Sequence, residues 1–159
     1  MPYLLAKDTV NGAEGKVFVT RNGRNLEIAG MRNIRANAEI QTGDMRVIGT
    51  GRIQQRQNGT RQTGTGNIYY GFDVFRKMAL EYMSTGHMPE FDIQIVNSDK
   101  ASNSLGTQIM AFYGCSLTGT IPLAALDSEE AMMNFDFNFT YTRAEELQGF
   151  KEPAVYGVD

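Results

Sequence analysis

Apolar and polar residues alternate along most of the chain in short runs broken by glycine, the period-two mark of strands with one buried face. Lys16–Thr20 and Asn25–Ile28 flank Arg21-Asn22-Gly23-Arg24. Asn-Gly between two short apolar segments predicts a tight hairpin, because a type I′ turn needs positive φ at both central positions. Over 31–42, Ile34, Ala36, Ala38 and Ile40 share one parity and polar groups take the other. Phe91, Ile93 and Ile95 alternate with Asp92 and Gln94, and a polar loop from Ser98 to Thr107 follows. Ile109, Ala111 and Tyr113 then alternate with Met110 and Phe112, which predicts cover on both faces. In 133–142, Met133, Phe135, Phe137, Phe139 and Tyr141 face one way, and Asn134, Asp136, Asn138, Thr140 and Thr142 face the other. That is a strand with an aromatic core face and a wholly polar reverse.

One segment has the helical period. Phe75, Met78, Ala79 and Tyr82 fall at i, i+3, i+4 and i+7, and Val74 and Met83 widen the stripe. Asp73 stands where an N-cap belongs and Gly86 where a C′ glycine belongs. The expected architecture is mainly β, antiparallel sheets in a sandwich- or barrel-like arrangement with one flanking helix, in a single domain over 1–159. Residues 117–127 form a connection, and beyond Ala144 a charged tail is expected over about 144–159.

Residues 43–71 depart from this pattern. Seven of these residues are Gly and four are Arg, with Gln and Thr between them. Apolar side chains stay sparse until Ile68, so the stretch buries too little surface to order itself alone. It is expected to be a long, flexible β-arm over about 44–62, with Asn58-Gly59 at its tip, returning into a strand at 63–71. Arg46, Arg52, Arg56, Asn58, Gly59 and Arg61 are its candidate contact residues.

Composition adds an asymmetry. The 159 residues carry a net charge of −3, but residues 1–80 are +6 and residues 81–159 are −9. If the two halves also part in space, copies attract head to tail. The length fits one domain, and one cysteine excludes an intrachain disulfide framework. No apolar run approaches the roughly 18 residues of a membrane span, and the N-terminus has no basic leader, so synthesis and folding in a cytoplasm are expected.

Catalytic groups are scarce. His87 is the single histidine and follows the helix in a loop, where solvation is the ordinary role. Cys115 lies in an apolar strand and reads as a small core residue. One His and one Cys give no zinc site of ordinary spacing. Asp127-Ser128-Glu129-Glu130 reads as a turn or cap. Gly49-Thr50-Gly51 and Gly64-Thr65-Gly66 lack the third glycine of a dinucleotide loop, and no Gly-Lys-Ser/Thr occurs, so no cofactor is expected. The arm's arginines, with Tyr69 and Tyr70 nearby, could grip phosphates as a small nucleic-acid or ligand-binding module. The same arginines serve equally against the acidic half of another copy.

Asn11–Phe18, the return from Asn58-Gly59-Thr60 to Gly64-Thr65-Gly66, the Phe75–Tyr82 helix with its Gly86 turn, and the Met132–Tyr141 strand together resemble the tail tube proteins of contractile phage tails. More narrowly, the chain is similar to the tube proteins of defective prophages and R-type bacteriocins of Gram-positive bacteria. The resemblance implies a non-enzymatic subunit, six copies of which close into a ring. Rings stack into a hollow tube inside a sheath, in a virion or tail-like particle assembled in the bacterial cytoplasm. It implies that the arm reaches neighbouring subunits, and that sheath, baseplate and length-setting proteins are partners. DNA would be only a passenger, and the chain itself would insert in no membrane. The polar positions Asn134, Asp136, Asn138 and Thr140 are candidates for the tube's inner wall.

Overall fold

The computed structural model describes residues 2, 5, 6, 15–98, 106–129 and 132–150. Among them lie eight strands and one helix: β1 (Gly15–Arg21), β2 (Arg24–Glu27), β3 (Met31–Arg46), β4 (Ile53–Tyr69), α1 (Val74–Thr85), β5 (Phe91–Ser98), β6 (Thr107–Thr118), β7 (Asn134–Thr140) and β8 (Arg143–Gln148). Residues 11–14 of the N-terminal resemblance, most of the Ser98–Thr107 loop, Glu130 and the last nine residues of the expected tail lie outside the described residues.

The strands run in the order β2-β1-β5-β6-β7-β4-β3, with β8 on β6, and all pairings are antiparallel. The protein is mainly antiparallel β with one helix, as its periodicity predicts. Asn22 and Gly23 take φ of 53° and 77° and close β1 onto β2, so the Asn-Gly signal marks a real two-residue turn.

β6 changes partners along its length. On one edge Thr107–Cys115 pairs with β5, across a bulge; Ile109–Tyr113 pairs with β8, whereas Ser116–Thr118 pairs with β7. Gly114, at φ 65°, sits at the change. β6 therefore joins the β1–β2–β5 side to the β3–β4–β7 side, and the core lies between them. Val19, Ile93, Phe112 and Cys115 meet Ile68, Phe137 and Phe139 in that core, and α1 adds Phe75 and Met78. The Phe75 ring stacks on Phe137 at 4.2 Å and tilts against Phe91 at 6.0 Å. The predicted parity of β7 holds: Phe135, Phe137, Phe139 and Tyr141 are buried.

Gly64 and Gly66 follow from this packing. A Cβ on Gly64 would lie 2.2 Å from the Phe139 ring, and one on Gly66 would lie 2.5 Å from the Phe137 ring. These glycines make β4 flat enough for two aromatic rings to lie on it.

The helix matches its predicted span. Gly86 caps it in the left-handed region at φ 77°, its N–H donating to the Tyr82 carbonyl at 2.9 Å. Asp73 occupies the N-cap position, but its carboxylate pairs with Arg76 and makes no side-chain capping bond. Only the front of the predicted stripe is covered: Phe75 and Met78 are buried, whereas Tyr82 and Met83 are exposed.

Part of the expected charged tail is a strand. Arg143–Gln148 pairs with β6, and Arg143 lies over the Tyr113 ring at 4.4 Å. Every β8 residue is exposed, so no apolar alternation announces it. Backbone pairing along the open edge of β6 is what holds it.

Candidate assembly surfaces

β3 and β4 form one ribbon, paired from Met31↔Ile68 to Arg46↔Ile53. β7 accompanies it only over Thr63–Tyr69. The last tertiary tie is the Tyr141 hydroxyl, which reaches across β4 and donates to the Asn37 carbonyl at 2.8 Å. Burial pushes the Tyr141 phenol above its ordinary pKa, and the neighbouring Cys115 adds to that, so the donor stays protonated. Beyond Ala38 and Gln62 the two strands pair only with each other among the described residues.

The tip lies at 47–52, not at Asn58-Gly59. Thr50 N–H donates to the Val47 carbonyl at 3.3 Å, and Gly49 takes φ 94°. Asn58 is instead the extra residue of a bulge between the Thr42↔Gln57 and Gln41↔Gly59 pairs, with Gly59 at φ 123°. Its amide lies over Gly43, 2.7 Å from where a Cβ would be. Gly49-Thr50-Gly51 supplies the conformational freedom the turn needs, and Asn-Gly serves a bulge equally well.

The register sorts the predicted arm residues by face. Arg61 is opposite Glu39 and Arg56 opposite Gly43, on the side of the ladder that carries Asn33, Arg35, Asn37, Thr63, Thr65 and Asn67. That side continues through Asn67↔Asp136, Thr65↔Asn138 and Thr63↔Thr140 into the polar face of β7. Thus Arg56 and Arg61 share one polar three-strand face with Asn134, Asp136, Asn138 and Thr140. Arg46 takes the opposite face, beside Ile53, and Arg52 belongs to the turn. All four arginines, with Asn58 and Gly59, are exposed. Among the described residues the two ion pairs are Arg21–Glu81 and Arg76–Asp73, so none of the four is paired.

The polar face is cross-linked at its base. Asn67 Nδ2 donates to Asn134 Oδ1 at 3.0 Å and to Asp136 Oδ1 at 2.8 Å, and Arg32 donates to Asn67 Oδ1 at 3.4 Å. Asn67 is the one buried polar residue among those described, and these bonds satisfy it.

Two apolar features escaped the sequence reading. Met45, Val47, Ile48 and Ile53 are exposed at the ribbon tip. A signal was present, since Val47-Ile48 directly before Gly49-Thr50-Gly51 puts two β-branched residues in a turn. The second is an apolar groove of about 550 Å³ beside the last turn of α1, lined by Ala79, Tyr82, Met83, Met88, Leu117 and Ile121 among others. Its pattern was legible only as a helix stripe longer than the core needs.

Cys115 is buried, its Sγ donating to the Phe112 carbonyl at 3.4 Å, and burial pushes the thiol up to about 12. A thiol held protonated is a poor nucleophile. Among the described residues no cluster of three His, Cys, Asp or Glu could hold a metal ion.

A family profile described as phage tail tube protein matches residues 2–148. The chain is 25% identical over 138 residues to the phage-like element PBSX protein XkdM of Bacillus subtilis (strain 168), covering 87% of this chain and 90% of that one. Its fold is similar to a chain of the PVC sheath–tube complex of an extracellular contractile injection system in the extended state. The TM-score there is 0.63 at 12% identity, over 91% of this chain and 94% of that one. It is also similar to the SPP1 tail tube, with a TM-score of 0.57 at 12% identity, over 91% of this chain and 80% of that one. The chain belongs to the phage tail tube protein family.

Proposed function

We propose that this tail tube family member closes with five copies of itself into a ring, and that such rings stack into the hollow inner tube of a contractile particle. The observation that carries this reading is the ribbon beyond Ala38 and Gln62. It is paired along its length apart from the Asn58 bulge, pairs with no further strand among the described residues, and carries four arginines outside the ion pairs found there. A monomer gains nothing from such an element. An assembly gains an inter-subunit contact, because a heterologous interface makes rings where the rotation closes and stacks where it does not.

In this reading Arg46, Arg52, Arg56, Asn58, Gly59 and Arg61 act between subunits, meeting the acidic second half of a neighbour. The uncharged or acidic side chains of Asn134, Asp136, Asn138 and Thr140 line the bore, with Thr63 and Thr65 continuing the wall. The whole chain acts as one tube domain, makes and breaks no bond, and works in the tail of a virion or tail-like particle assembled in the bacterial cytoplasm. Sheath, baseplate and length-setting proteins are its partners, and nucleic acid is at most a passenger.

Electron microscopy of the purified chain at high concentration tests the reading. Six-fold rings or tubes are expected, and a chain that stays monomeric overturns it. Replacing Arg46, Arg52, Arg56 and Arg61 together with Glu should abolish stacking while shifting subunit stability by only about 0.5 kcal/mol per exposed site or less. Unimpaired tubes from that variant would show that the arm's charge is not what joins the rings. The four free arginines also suit a nucleic-acid grip. Tight DNA binding by the unassembled chain, falling steeply between two salt concentrations, would favour that role instead.

A further inference from the structure

We propose that the apolar tip of the β3–β4 ribbon seats in the groove beside the last turn of α1 of a second copy of this chain. The inference rests on the self-assembly reading and names the surface that receives the arm.

The tip presents Val47 and Ile48 in the turn, with Met45 and Ile53 just behind, all exposed. A charged arm that acted only through its arginines would have no use for four large apolar side chains at its end. Burial of such side chains is the main favourable term in association, and an uncovered cluster of them at the end of a projecting element marks a contact.

The groove is the matching unfilled surface. Among its lining residues Leu117 is buried, whereas Tyr82, Met83 and Leu123 are exposed. Met83 is 68% exposed although it continues the stripe that Phe75 and Met78 bury. The helix therefore runs one turn past its own core and offers that turn to something else.

Charge selects the same pairing. Residues 44–61 carry four Arg and one Asp, whereas residues 117–129, of which Leu117, Ile121 and Leu123 line the groove, carry Asp127 and Glu129 and no basic residue. Arginines behind an apolar plug would meet carboxylates beyond an apolar socket, and such complementarity fixes orientation.

The occupant must be another copy. About ten residues of β4 separate Ile53 from Thr63, where pairing with β7 begins. At roughly 3.4 Å per residue the tip stands about 34 Å from that point. The groove is lined by Leu117 and Thr118, which pair with Phe139 and Asn138 near the C-terminal end of β7, level with Gly64 and Thr65 of β4. A continuously paired ribbon cannot fold back on itself to reach it.

A photo-cross-linking amino acid in place of Ile48 tests this in tubes assembled from the purified chain. After irradiation, the expected product joins position 48 to peptides containing residues 79–88 or 117–123 of a second chain. Cross-links to any other surface, or none from well-formed tubes, overturn the groove assignment and leave the tube reading intact. Failure of the unmodified chain to assemble overturns the tube reading, and the inference with it. An independent variant, Met83→Arg, puts a bulky cation into the groove at an exposed position. It should leave the thermal midpoint of the subunit unchanged and eliminate tubes. Normal tube formation by Met83→Arg overturns the proposal.

Discussion

The two ends of one ribbon obey different physics. Near the body, Ile34 and Ala36 pack on the core, Gly64 and Gly66 lie flat beneath Phe139 and Phe137, and β7 pairs alongside. Past Asn37, where Tyr141 makes its bond, the same alternation continues, but no described residue outside the ribbon buries it. Ile40, next but two on the same parity as Ile34, is 63% exposed. Strand pairing alone therefore extends the element, and burial decides only where it belongs to the subunit. A polypeptide can hold a regular ladder well beyond its own core, and the excess is available to a neighbour.

The sharpest way to break this contrast is to remove side chains from each end. Phe137→Ala takes away a fully buried ring and should cost roughly 3–5 kcal/mol in chemical denaturation, whereas Ile48→Ala should be nearly neutral in the monomer. Equal costs would show that the distal ribbon is part of the core. Gly64→Ala comes next. Its Cβ would fall inside the Phe139 ring contact, and the forced shift should cost about 1–3 kcal/mol, read as a lowered unfolding midpoint. Gly51→Ala, at the tip with open space around it, serves as the silent control.

Tyr141→Phe deletes the bond that marks the boundary. A loss of about 1 kcal/mol is expected, with faster amide exchange in residues 39–61 and little change in β7. Uniform exchange throughout the ribbon would place the boundary elsewhere. The smallest effect at neutral pH comes from Cys115. Its thiol is raised from 9.0 to about 12 in the fold, so above pH 9 the unfolded chain loses a proton that the native chain keeps. The folded state then binds more protons, and stability declines as pH rises from about 9 toward 12. A Cys115→Ala variant should lose that part of the slope, and a profile identical to that of the parent would mean the thiol is not buried as described.

Much of the subunit was legible in its residues. The Asn22-Gly23 turn, the Phe75–Met78 stripe, the Gly86 cap and the β7 parity each depend on local geometry, which a short stretch of residues specifies. The arm was legible as an anomaly, since a Gly- and Arg-rich segment without apolar alternation cannot belong to a core. Its tip was misplaced because Asn-Gly suits a bulge as well as a turn, and only the pairing partner distinguishes them. β8 was missed because an edge strand held by backbone bonds needs no apolar pattern. The apolar tip and the groove were passed over because exposure is a property of what lies across space, not of neighbours in the chain.

Sequence periodicity by itself determined which side chains point inward, because alternation along a strand is set by the backbone of each strand alone. The tertiary structure decided where that inwardness ends. β7 stops pairing at Thr63, Tyr141 ties down Asn37, and from there the same chain chemistry faces water. Burial depends on residues about 75 to 105 positions away, and no local pattern encodes where they come to rest.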